Sequence, residues 1–329
     1  MKPDDRLLPV VRASELAMAA DRNEWLVDSL WSRAGVGILG GAPKCCKSWL
    51  GLDVALSVAS RTRCLDRFEV GDPGPVLLYL AEDSATILKQ RLLGLCAHRG
   101  LDLGAMPLHV ITAPTLRLDL ARDQQRLRET VRALRPRLLL LDPLVRLHRC
   151  DENDAGQVAQ LLGYLRDLQR AHDLAVLLVH HARKNASSTH ALGQALRGSS
   201  DLHAWGDSNL YMHRGRDQLM LAIEHRAAAS GEPIALELAG PDERTHLRVI
   251  DPARRDEAAV SVTDIHDLVL AHLARVTEPV SRPALRAALK VRNETLGAAL
   301  ATLVRRGGVE RVGDRFKLAR VPVPIPDAP

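Results

Sequence analysis

The sequence predicts an α/β fold: a mainly parallel sheet with helices on both faces, followed by a small C-terminal winged helix-turn-helix domain. Three observations carry that expectation. Between Gly35 and Ala239, short continuous apolar runs alternate with longer stretches of helical periodicity, the pattern of strands buried on both faces and joined by crossover helices. Aromatic residues are only 3% of the chain against 46% hydrophobic residues overall. The core must therefore be built from Leu, Val, Ile and Ala, which suits helices and buried strands better than a β-sandwich. Finally, residues 259–320 read as helix, helix, helix, hairpin, the order of a winged helix.

The predicted strands are Val36–Leu39, Val76–Leu80, Leu108–Ile111, Leu138–Leu141, Leu174–Val179, Asn209–Met212 and Leu219–Ile223. Helical periodicity fills Trp49–Ala59, Ala85–Cys96, Asp123–Leu134 and Gly156–Ala171. The later strands follow one another closely, with a turn at Gly215–Asp217, so they predict an antiparallel edge that Ile234–Leu238 and His246–Ile250 extend as a hairpin. This first domain spans 1–251, including an N-terminal extension 1–24. A polar linker containing Pro252 covers 252–258. In the second domain Asp264–Arg275 is amphipathic, Ser281 caps a short helix to Leu289, and Asn293 caps Glu294–Arg306, which Gly307 and Gly308 end. Val309–Val312 and Arg315–Leu318 form the hairpin, and 321–329, alternating Pro with Val and Ile, is expected to be disordered.

Charge and cysteine usage narrow the class. Residues 259–320 hold eleven Lys/Arg against six Asp/Glu, which accounts for the chain's net charge of +5. That bias points to an anionic partner, most simply DNA, or to a solvated basic face. No apolar run reaches the roughly 18 residues of a membrane helix, and Met1–Arg12 lacks the long apolar stretch of a signal peptide. A cytoplasmic protein with no membrane partner is expected. The five cysteines, Cys45, Cys46, Cys64, Cys96 and Cys150, are odd in number and lack zinc-site spacing, so they read as reduced thiols.

The chemistry concentrates after the first strand. Gly40-Gly41-Ala42-Pro43-Lys44-Cys45-Cys46-Lys47-Ser48 follows an apolar strand and opens a helix, the context of a phosphate-binding loop. Backbone N–H groups of such a turn and the positive end of the helix dipole favour phosphate. ATP with Mg2+ is the expected ligand. The candidate binding set runs Gly41, Ala42, Pro43, Lys44, Cys45, Cys46, Lys47, Ser48 and Trp49, with Lys47 reaching the β- and γ-phosphates and Ser48 taking one Mg2+ position. Cys46 stands where G-x-x-x-x-G-K-[ST] has its second glycine, and a non-glycine residue held at positive φ costs about 1–2 kcal/mol.

Further candidates sit at later strand ends. Val76–Leu80 leads into Glu82, the candidate for orienting the attacking water, with Asp83 the alternative. Asp83 or Ser84 also fits a helix N-cap. Four leucines end in Asp142, which is expected at the tip of a strand neighbouring that of the phosphate loop, next to the loop, as an Mg2+ ligand, partly through water. Leu174–Val179 ends in His180 and His181, one of which is the candidate γ-phosphate sensor. Asp151–Asp154 reads as a helix-capping cluster. In the polar stretch 185–200 and just before it, Lys184 and Arg197 suit either DNA contact or a finger reaching a neighbouring subunit's nucleotide.

Gly41–Ser48, Ala81-Glu82-Asp83, the leucine strand to Asp142, His180-His181 and Arg197-Gly198-Ser199-Ser200 occur in an order that resembles the RepA-like hexameric ATPases, a RecA-like group. The resemblance covers roughly 25–230 and lies in motif order rather than in any single motif. It implies a RecA-like fold, a homo-oligomer that is a six-subunit ring with ATP between subunits, and single-stranded DNA through the middle. It also implies Lys47 and Ser48 as the Walker A pair, Glu82 as catalytic glutamate, Asp142 as Walker B acid, His180 or His181 as sensor and Arg197 as arginine finger. Arg91 is similar in spacing to another family arginine near the phosphates. The resulting expectation is an ATP-hydrolysing DNA helicase, translocase or loader in replication, repair or mobile-element transfer. The alternative is an ATP-switched DNA-binding regulator with slow or no hydrolysis, in which the winged helix reads duplex DNA through Arg292, Asn293 and Thr295.

Overall fold

The computed structural model describes residues 10–15, 24–151, 154–181, 200–215, 218–241, 244–250, 265–276, 278–289 and 293–319. Two compact units divide the chain at Val249/Ile250, and each is described by itself. The predicted linker at 252–258, the tail at 321–329 and most of the extension 1–24 lie outside the described residues.

After a 3-10 turn at Ala13–Glu15, the first described strands form a short hairpin, β1 (Trp25–Val27) and β2 (Trp31–Ser32). Two- and three-residue strands are too short to show periodicity, and the sequence reading does not contain them. Trp31 is nevertheless fully buried, and its indole N–H donates to the Gly35 carbonyl at 3.3 Å. The main sheet follows: β3 (Val36–Gly41), β4 (Val76–Leu80), β5 (Leu108–Val110), β6 (Leu138–Asp142), β7 (Ala175–His181), β8 (Ser208–Arg214), β9 (Leu219–His225), β10 (Ile234–Ala239) and β11 (His246–Val249). Its spatial order is β11-β10-β9-β8-β3-β7-β6-β4-β5. Strands β8 to β5 of that order run parallel, and β9, β10 and β11 add the predicted antiparallel edge.

Among the described residues, this unit has the α-helices α1 (Lys47–Ser60), α2 (Ala85–Arg99), α3 (Ala121–Leu134), α4 (Ala155–His172) and α5 (Ser200–Trp205). They cover both faces. Leu39, Leu78, Leu140 and Leu177 point into one core with the apolar side chains of α1 and α2. Their chain neighbours Ile38, Leu77, Leu139, Leu141 and Val176 point into a second core with α3, α4 and α5. Strands buried on both faces need apolar residues at every position, which is why β3 and β6 are buried throughout.

Two expectations need correction. Leu108–Ile111 was expected to be a strand buried on both faces, yet His109 and Val110 of β5 are exposed, because β5 is the last strand of the sheet and pairs only with β4. The strand ending in Asp142 is also not beside the strand of the phosphate loop, since β7 lies between β3 and β6. Their functional ends meet through α1, which leaves β3 and packs back across to β6. Gly51 permits that crossing, because a Cβ there would lie 3.3 Å from both Leu140 methyl carbons.

A buried ion pair fixes α1 to α2. Arg99 Nη2 lies 2.7 Å from Asp53 Oδ2, with both side chains under 5% exposed. Arg99 Nη1 donates to Ser57 Oγ at 2.8 Å and Thr62 Oγ1 at 3.0 Å, and Asp53 Oδ1 accepts from the Leu65 amide at 2.8 Å.

The second unit contains α6 (265–274), β12 (Val280–Ser281), α7 (Arg282–Leu289), α8 (Asn293–Arg305), β13 (Val309–Val312) and β14 (Arg315–Leu318). The strands form a three-stranded sheet, β12-β14-β13. Ser281 Oγ accepts from the Ala284 amide at 3.4 Å, capping α7. A small core of Val269, Leu273, Leu285, Leu296, Leu300, Leu303 and Val309 holds the unit together. β12 is the one element here that the sequence reading lacks, again because it is only two residues long.

Removing one partner of a buried pair strands the other charge. Arg99→Ala is therefore expected to lower the urea-unfolding free energy by about 3–5 kcal/mol, whereas Arg63→Ala, which breaks an exposed pair with Glu69, should change it by less than about 1 kcal/mol.

Candidate active site

The loop between β3 and α1 is wound tightly. Lys44 and Cys46 both adopt φ of 63°, and Cys46 sits at the N-cap of α1 with ψ of 25°. Left-handed residues in such a turn aim successive backbone N–H groups into one concavity, an anion nest. Gly41 has no room for a side chain, since a Cβ would lie 2.2 Å from the Met212 carbonyl oxygen of β8. Lys47 is buried and its ammonium donates to the carbonyls of Gly41 and Ala42, each at 2.9 Å. It also lies 3.9 Å from Cys45 Sγ. Burial pushes the Lys47 pKa down, against the opposing influence of Cys45 and Asp142. Burial likewise pushes the Cys45 and Cys46 thiols up, so both are thiols rather than reactive thiolates.

Asp142 ends β6 with 8% exposure. Its carboxyl is raised to about 6, first by burial and then by Asp83 and Glu82, against a hydrogen bond from Ser48 and the charge of Lys47. Ser48, Lys47 and Asp142 thus converge although their strands are not neighbours. A hydroxyl and a buried carboxyl beside two further acids make a hard oxygen donor set that fits Mg2+. Ala81 donates its amide to the Asp142 carbonyl at 2.7 Å, tying the end of β4 to this point.

The other predicted residues fall around that centre. Glu82 is exposed and its Oε1 lies 3.0 Å from Arg146 Nε. Asp83 pairs with Arg91, and the Arg91 guanidinium stacks over the Trp49 ring at 5.5 Å from its centroid. This chain of contacts joins the start of α1 to α2. Ser84 is the N-cap of α2, accepting from the Ile87 amide, and Asp154 caps α4. His180 is buried and His181 half-buried, and they stand in register with Gly40 and Gly41 at the mouth of the loop. Lys184 and Arg197 lie outside the described residues.

Two cations escaped the sequence reading. Arg214, at the end of β8, donates to the Lys44 carbonyl at 3.3 Å. Arg146 follows Asp142 by four residues and meets Glu82. Both occupy the carboxyl edge of the parallel sheet, where ligands of open α/β folds bind. The position of each strand end was therefore the available signal. A second group of possible ligands, Asp66, His98 and His246, lies elsewhere in this unit. The His98 and His246 rings stack at 3.5 Å with an interplanar angle of 12°. Lone pairs in two parallel planes do not meet at one ion, and this cluster reads as a clamp between α2 and β11.

A parallel sheet with a nest-forming loop, a buried lysine and a converging Ser/Asp pair defines the class of P-loop ATPases. A family model described as AAA domain (AAA_25) matches residues 3–187, more than half of the chain, and the chain belongs to that family. Among solved structures it is similar to one described as the crystal structure of the RadB recombinase. That match has 16% identity and a TM-score of 0.49, and covers 67% of this chain and 92% of that chain. No described helix is long and apolar enough to cross a membrane.

The raised Asp142 carboxyl has a defined stability signature. A carboxyl whose folded pKa lies above its unfolded value of 3.8 contributes stability that is full below that value and lost as pH rises through about 6. In metal- and nucleotide-free buffer, Asp142→Asn should leave stability at pH 4 nearly unchanged. At pH 7.5 it should raise stability by on the order of 2–3 kcal/mol. Urea unfolding at both pH values checks this, and equal shifts at the two would contradict the assigned cause.

Proposed function

We propose that the chain is an ATP-hydrolysing RecA-like motor of the RepA type, a helicase, translocase or loader acting on DNA as a homo-oligomeric ring. The observation that carries this reading is the meeting of Lys47, Ser48 and Asp142 through α1, with Glu82 at the adjoining strand end. Lys47 would exchange its two loop carbonyls for the β- and γ-phosphates. Bound Mg2+, held by Ser48 and, through water, by Asp142, would supply Lewis-acid neutralisation of developing phosphate charge. Glu82 orients a water molecule: its oxygen bonds to the γ-phosphorus, the bond to the β–γ bridging oxygen breaks, ADP leaves with that electron pair, and the water's proton passes to the carboxylate. His180 or His181, beside the loop mouth, suits sensing of the γ-phosphate. Arg91, paired with Asp83, supports the site from α2. Arg197 is assigned as intersubunit finger by family resemblance alone.

DNA as partner draws support from the second unit. Its element order matches a winged helix-turn-helix, and Arg305, Arg306, Arg311 and Arg315 are exposed around the end of α8 and its hairpin. The side chains of Asn293 and Thr295, and all of Arg292, lie outside the described residues. One observation favours the second reading, a regulator with slow turnover: Cys46 holds a left-handed conformation without being glycine.

ATP turnover with and without single-stranded DNA separates the two. In the motor reading, Lys47→Ala lowers kcat/KM by about 100-fold or more. Cys46→Gly relieves about 1 kcal/mol of backbone strain, raising the melting temperature and leaving turnover intact or higher. DNA stimulates both wild type and Cys46→Gly. Turnover that survives Lys47→Ala sinks the site, and turnover indifferent to DNA sinks the motor.

A further inference from the structure

We propose that Arg146 is a positioning residue that restrains Glu82, and that a backbone phosphate of bound single-stranded nucleic acid releases it. The proposal rests on the assignment of Glu82 as the water-orienting residue. Arg146 Nε lies 3.0 Å from Glu82 Oε1, with the two side chains 59% and 46% exposed. A carboxylate held by a guanidinium has one oxygen committed to that partner and away from water. Asp83 next door has its own partner, Arg91, in a more enclosed setting. The two acids of this loop are thus held by different arginines on different elements.

The backbone that carries Arg146 is anchored, whereas its side chain is not. Leu144 and Leu147 are fully buried. Arg117 Nη1 donates to the Arg146 carbonyl at 2.8 Å and to the His148 carbonyl at 3.0 Å. The guanidinium can therefore swing between Glu82 and solvent without moving the loop. Arg149, three residues on, is 66% exposed and only 3.8 Å from Asp119 at its nearest charged contact. Arg146, ending the turn Leu144–Arg146, and Arg149 just beyond it present two exposed guanidinium groups near the sheet edge that holds the phosphate loop, the side-chain type that phosphodiester oxygens accept from. A phosphate binding Arg146 offers two acceptor oxygens in place of the one bond to Glu82, so the polyanion wins the exchange.

The strength of the contact sets the size of the effect. An exposed pair of this kind shifts its own equilibrium by only about 2- to 6-fold, so its loss frees Glu82 by that factor and no more. The test uses the full chain and measures ATP turnover with no addition, with oligothymidylate, and with inorganic phosphate. Arg146→Ala is expected to raise kcat without DNA by about 2- to 6-fold, to leave KM for ATP unchanged, and to lose the same factor of stimulation by oligothymidylate. Arg146→Lys should fall between the two, and inorganic phosphate should leave the wild type unstimulated. Binding of a fluorescent ATP analogue certifies that each variant is folded. If Arg146→Ala has unchanged or lower basal kcat, or keeps its full stimulation, the restraint is overturned. If inorganic phosphate stimulates as well as oligothymidylate, the nucleic-acid partner is overturned. Turnover that survives Glu82→Gln instead sinks the assignment of Glu82 itself, a distinct failure.

Discussion

The packing of α1 across the sheet is the constraint on which the site depends. The helix starts at Lys47 and Ser48, leaves β3, and must reach β6 over the intervening β7. It does so because Gly51 meets the Leu140 methyls with no side chain of its own and because ten of its fourteen residues are buried. A helix lifted by even one methylene would carry Ser48 away from Asp142, and interiors packed at crystal density transmit such a displacement rather than absorb it. The Asp53–Arg99 pair serves the same geometry from behind, since it locks α1 to the helix that follows Glu82.

Electrostatics at the centre follows from that packing. Asp142 is buried with two more carboxylates near it, and burial dominates the rise of its pKa. The neighbouring acids are each neutralised by an arginine, Asp83 by Arg91 and Glu82 by Arg146, while Asp142 has only a hydroxyl and the partial influence of Lys47. The unbalanced charge is thus the one at the strand tip. A dication held there would offset the burial penalty that the free protein carries, and its binding would then be coupled to the ionisation of this one carboxyl.

Much of this was legible in the chain. The β3 loop, Asp142 and the Glu82 strand end were readable because each pairs a strand signal with a chemical residue at a fixed offset, and such offsets are local. Strand order is not local. It is set by which crossovers pack, so nothing near Leu138–Leu141 says that β7 separates it from β3. The exposure of His109 and Val110 has the same origin, because a short apolar run reads alike at the centre and at the edge of a sheet. The hairpin Trp25–Ser32 was hidden by its length, although Trp31 in its second strand is fully buried. Arg146 and Arg214 were missed for a further reason: arginine is ordinary on a surface, and only the fold shows that these two stand over Glu82 and Lys44.

Cys46 is the one place where the loop departs from the pattern of its class, and the structure explains how the departure is carried. A left-handed cysteine persists only where its surroundings over-determine the backbone. Here they do. Gly41 is pressed against the Met212 carbonyl of β8, Lys47 is pinned to the carbonyls of Gly41 and Ala42, and Arg214 holds the carbonyl of Lys44. Lys44 is itself left-handed without being glycine, so the strain is shared by two residues between those anchors. The cradle keeps its shape because its ends are fixed, and the second glycine is replaced at a cost in backbone energy rather than in geometry.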